Sequence, residues 1–164
     1  MRCRELLALL LAPALVAACG GDAARPPVAA RAFADPGFVA AAGHEMRYGL
    51  MPVGDLAAGV ALAYGIDRDS HQVVVSVSVL KQRPAALPVP VGARVTGSWR
   101  GLIGEPQPLE FRAVLAGSAI SYVAEAPLRN GEAMVFEIAA LPDGATVLLT
   151  ARVTREFAAA PREP

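Results

Sequence analysis

The chain has 164 residues, 15 of them basic and 15 acidic, with 54% hydrophobic residues and two cysteines. This balance excludes the basic field that draws nucleic acid or anionic headgroups, and it contains no acidic run that would gather cations. Lys81 stands alone beside fourteen arginines, which reflects composition bias and not a binding signal.

The chain opens with Arg2 and Arg4, then an apolar run from Leu6 to Ala18 that is too short to cross a bilayer as a stable helix. A basic start, a short apolar middle and small residues at its end indicate an export signal. Val16-Ala17-Ala18 leads directly into Cys19, a spacing that resembles the lipobox of bacterial lipoproteins. That resemblance implies diacylation of the Cys19 thiol and cleavage before it. Two or three acyl chains hold a protein durably at a membrane, where one does not. Cys3 falls in the segment to be removed, so no intramolecular disulfide survives maturation. By resemblance to enterobacterial sorting, Gly20 in place of Asp after the cysteine favours the outer membrane. Loss of residues 1–18 leaves 13 basic and 14 acidic groups.

Residues 19–36 then form a lipidated tether: GGDAARPPVAARAFADP has no apolar period able to face a core. As a flexible coil it spans roughly 20–25 Å. Residues 37–158 are long enough for one domain with its own core, and residues 159–164 form a frayed tail.

Within the domain the dominant period is two. An opening strand covers HEMRYGLM. One helical signal follows, with Leu56, Val60 and Tyr64 four residues apart, Asp55 as the first-turn cap and Gly65 as the left-handed stop onto which Ile66 packs. It predicts two to three turns lying across one end of the fold. HQVVVSVSVL places Val73, Val75, Val77 and Val79 on one face, with Val74, Ser76, Ser78 and Leu80 on the other, the pattern of a central, well-covered strand. QRPAALPVPV carries three prolines and belongs at an edge or crossover, because proline has no ladder donor. In GARVTGSWR, Val95, Gly97 and Trp99 face the core, while Arg94, Thr96, Ser98 and Arg100 face water. Further strands with the same alternation cover PLEFRAVL (inward Leu109, Phe111, Ala113 and Leu115), AISYVA (Ile120, Tyr122 and Ala124), EAMVFEIAAL (Met134, Phe136 and Ile138) and ATVLLTARV (Val147, Leu149, Ala151 and Val153). Turns at Gly117, Asn130-Gly131 and Asp143-Gly144 separate them, where positive φ is cheap. Short strands so spaced predict an all-β fold, an immunoglobulin-like antiparallel sandwich of about seven or eight strands with one short helix.

Tyr48, ALAYGIDRDS, SVSVL, VTGSWRGLIG, PLEF and AISYVAEAPL together resemble a proteobacterial family of small exported proteins known only as a domain of unknown function. The resemblance runs from about Phe38 to Phe157. It implies an immunoglobulin-like β-sandwich and no reaction. The family pattern has asparagine where this chain has Gly49, Ser76 and Gly101, so no functional residue is carried over.

Candidate chemistry is thin. Asp67, Asp69 and His71, placed on one strand face, would offer two oxygens and an imidazole to a metal, but without a distant fourth ligand the geometry is poor, and a solvated turn is the plainer reading. His44 and Met46 share a face suited to copper, while Met51 has the opposite parity. Only His44 and His71 could serve as a base, and no strained G-x-S-x-G turn occurs. The Gly101–Gly104 loop carries adjacent Leu102 and Ile103, whose side chains diverge; Leu102 is expected to plug the end of the sandwich and Ile103 to be exposed, available for contact with an envelope partner. We therefore expect a non-enzymatic lipoprotein module, anchored through Cys19 and facing the periplasm, with no cofactor and no nucleic-acid partner. The alternative is a periplasmic small-ligand or metal-binding protein using the Asp67–His71 loop.

Overall fold

The computed structural model describes residues 37–129 and 131–157. Cys19, the tether and the C-terminal tail lie outside them. The described residues form two antiparallel sheets and one short α-helix.

The larger sheet contains β1 (Gly37–Ala41), β2 (His44–Pro52), β3 (Gln72–Arg83), β4 (Ala86–Pro90), β7 (Arg112–Ala116) and β8 (Ala119–Pro127). Its order is β1-β2-β3-β8-β7, with β4 pairing the far end of β3. The smaller sheet contains β5 (Ala93–Gly101), β6 (Gln107–Pro108), β9 (Ala133–Pro142) and β10 (Leu149–Glu156), in the order β10-β9-β5-β6. β3 is central, as its two apolar faces require, and the proline-rich β4 is paired only with β3.

The core lies between the sheets. Val73, Val75, Val77 and Val79 of β3 meet Met134, Phe136 and Ile138 of β9, with Trp99, Leu149 and Ala151 beside them. Each of these sets was predicted by alternation, because a two-residue period sends every second side chain to one face. Phe136 and Phe157 meet edge to face at 6.4 Å.

The described residues hold ten strands in place of the expected seven or eight. β1 was missed because its hairpin to β2 turns through Ala42 (φ 47°) and Gly43 (φ 73°), and alanine carries no turn signal. The Tyr48 ring lies over Gly37, its cross-strand partner, where any Cβ would overlap it. PLEFRAVL is two strands, since the chain leaves the smaller sheet after Pro108 and joins the larger one at Arg112. Leu109 is buried, but Leu115 is exposed on edge strand β7, against the inward position predicted for it. Periodicity persists through a change of sheet and does not reveal it.

α1 (Ala58–Tyr64) has seven residues, about two turns as expected, but differs in two respects. Its N-cap is Ala57, without a side-chain cap bond. Asp55 sits in the preceding 3-10 turn, Val53–Asp55, and caps nothing. The helix covers the outer face of the larger sheet instead of one end of the sandwich. Met51, Val74 and Val123, all turned away from the main core, form a second core there with Val53, Leu56, Ala61 and Ile66. The predicted C-terminus is correct. Gly65 is left-handed (φ 64°) and donates to the Leu62 carbonyl, while Ile66 N–H reaches the Ala61 carbonyl at 2.9 Å. These two bonds make a Schellman stop.

Candidate functional site

One end of the sandwich carries the connections β2–β3, β5–β6 and β8–β9. There the β5–β6 loop presents Leu102 and Ile103, 63% and 97% exposed. Leu102 therefore does not plug the sandwich. Trp99, Leu109 and Phe157 lie in the main core at strand positions or beside them. Arg100 holds the loop's shape by donating to the carbonyls of Gly101 (3.3 Å) and Leu102 (3.0 Å). Arg129 stacks over the Trp99 ring at 5.7 Å and pairs with Glu132 at 3.4 Å. Arg129 and Glu132, with Leu102 and Ile103, line a groove of about 370 Å³.

The Asp67–His71 segment is the expected turn and not a strand face, because β3 begins only at Gln72. Asp67 Oδ1 accepts the Asp69 N–H at 3.0 Å, and the Asp67 carbonyl accepts both the Ser70 hydroxyl (2.6 Å) and the Ser70 N–H (3.1 Å). This is a self-bonded Asx turn. Arg68 ties it to the Gly54 carbonyl at 3.3 Å. His44 and Met46 share a face, but Met46 is fully buried in the main core, while Met51 lies in the second core behind the sheet. Among the described residues no group of three or more His, Cys, Asp or Glu side chains is placed to hold a metal ion.

Sequence reasoning missed a trough on the outer face of the larger sheet, beside α1. Arg47, Gly49, Tyr64, Ser76, Ser78 and Ser121 line it, and its volume is about 210 Å³. Gly49 lies directly opposite Ser76, and Arg47 opposite Ser78. Gly49 and Ser76 thus meet here, and Gly101 borders the loop groove. The readable signal was the pair of serines on the outer face of β3, left bare where the helix ends.

The model of the family described as a domain of unknown function, DUF4426, matches residues 40–158. The chain belongs to the DUF4426 family. A crystal structure of a DUF4426 family protein, PA0388 from Pseudomonas aeruginosa PAO1, is similar to it with a TM-score of 0.62 and 29% identity. The match covers 75% of this chain and 94% of that one. No curated protein matches the chain. The DUF4426 match spans the sandwich from β1 to just past Phe157 and brings no assigned reaction with it.

Proposed function

We propose that this DUF4426 chain is a lipid-anchored envelope protein, acylated at Cys19 and facing the periplasm from the outer membrane, whose sandwich is a non-enzymatic binding or accessory module. The observation that carries the reading is the run Val16-Ala17-Ala18-Cys19 at the end of a short apolar segment, with residues 19–36 intervening before β1 begins at Gly37. The arrangement suits a small module held near a membrane surface by an anchor of more than one acyl chain. Ile103 supports the binding role. It is almost wholly exposed at a loop whose shape Arg100 maintains, and an exposed large apolar side chain on a braced loop suits contact with an envelope protein.

Labelled palmitate fed to expressing cells tests the anchor. The wild-type chain should take up label and sediment with membranes, whereas Cys19→Ala should do neither while its sandwich stays folded. Equal labelling of both chains would refute the anchor.

A further inference from the structure

The trough beside α1 is lined largely by polar side chains. Gly49, Ser76, Ser78 and Ser121 line it from three adjacent strands, Tyr64 from the end of α1 and Arg47 from β2. Arg47 is braced: its Nε donates to Glu45 Oε1, while Gln82 Nε2 donates to Glu45 Oε2 at 2.9 Å. Glu45 itself is only 13% exposed, so a largely buried carboxylate fixes the guanidinium by one edge. The terminal amino groups of Arg47 remain for a ligand, and a guanidinium presents them in a planar fork suited to phosphate.

The lining charges separate this trough from two other grooves. The groove on the outer face of the smaller sheet, about 490 Å³, contains both Arg152 and Glu137, paired at 3.3 Å. The groove at the Ile103 loop contains both Arg129 and Glu132. Each of those linings presents a carboxylate beside its arginine. The trough has Arg47 and no acidic side chain among its lining residues; Glu45, the carboxylate paired with Arg47, is not part of the lining. Its other polar groups are hydroxyls, which accept as well as donate. At about 210 Å³ it is smaller than the usual drug-sized pocket and suits a single ring with its substituents.

We propose that this trough binds a sugar phosphate, with the phosphate on the terminal nitrogens of Arg47, the sugar hydroxyls on Ser76, Ser78 and Ser121, and one sugar face against Tyr64. The site does not depend on the Cys19 anchor. The same chemistry is offered by a free sugar phosphate and by a lipid headgroup carrying one.

Calorimetric titration of the full chain in non-ionic detergent tests it, with glucose 1-phosphate, inorganic phosphate and glucose as probes. Glucose 1-phosphate should bind saturably and at least tenfold more tightly than either half of it alone. Arg47→Gln should weaken it tenfold or more, Ser78→Ala several-fold, and Glu45→Gln by an intermediate factor through loss of the brace. Vesicles containing phosphatidylinositol separate the two sources: binding to them that depends on Arg47 and exceeds binding of glucose 1-phosphate identifies a headgroup, and the reverse order identifies a soluble ligand. Thermal melts confirm folding, and if Arg47→Gln does not fold, Ser78→Ala and Ser121→Ala carry the comparison. Absence of saturable binding by both glucose 1-phosphate and the vesicles, or equal binding by the folded variants, overturns the site and leaves the anchor reading intact.

Discussion

The Tyr122 phenol oxygen on β8 accepts the backbone N–H of Ala93, the first residue of β5, at 2.7 Å, joining the two sheets by a hydrogen bond. Asp143 N–H donates to the Gly92 carbonyl, so Gly92 faces β9 and Ala93, one residue on, points its N–H to the opposite edge. β6 pairs only with Ser98 and Trp99 and leaves that edge open at Ala93. Tyr122 supplies the missing acceptor. Tyr122→Phe should cost about 1–2 kcal/mol, the range for leaving a partly buried donor unpaired. Tyr48→Phe, which removes a hydroxyl with no hydrogen-bond partner among the described residues, should change the urea midpoint little. Equal shifts in the two variants would contradict this role for Tyr122.

Trp99 is 8% exposed and packs in the main core, so Trp99→Ala should cost about 3–5 kcal/mol, a large share of a small domain's stability. Arg100→Ala, on the opposite face, loses two bonds to loop carbonyls and should cost far less. Chemical denaturation of the two variants compares them directly.

Gly97 sits where β5 meets β9, and a Cβ there would stand 2.6 Å from the Glu137 carbonyl oxygen and 3.3 Å from both Leu109 and Phe111. Gly97→Ala should therefore destabilise by about 1–3 kcal/mol through overpacking. At Gly54 an added Cβ meets nothing within 4 Å, and Gly54→Ala should stay within about 0.5 kcal/mol of wild type. Thermal melts showing equal losses would mean that β5 and β9 can separate at no cost.

Leu102→Asp and Ile103→Asp should both leave thermal stability nearly unchanged, since both side chains are exposed. Cross-linking in native envelopes tests the contact: the partner captured by the wild-type chain should be lost with Ile103→Asp. Retention of that partner by a folded Ile103→Asp chain would remove this loop from the binding surface.

Alternation alone determined the inward faces of β3, β5, β9 and β10 and hence the sandwich, because a half-buried strand must separate apolar from polar side chains at every second residue. Gly65 and Ile66 were equally legible as a helix stop, since the left-handed position and the apolar residue after it are both written locally. The tertiary structure alone decided which sheet each strand joins. The run containing Leu109, Phe111, Ala113 and Leu115 keeps one parity while the chain crosses between sheets, so Leu109 is buried and Leu115 is not. It also decided that Val74 and Val123 are buried behind the larger sheet, because covering an outer face depends on where a distant helix docks. The trough needed the same information: Arg47, Ser78, Ser121 and Tyr64 come from four elements, and no local pattern records that pairing and helix placement bring them together.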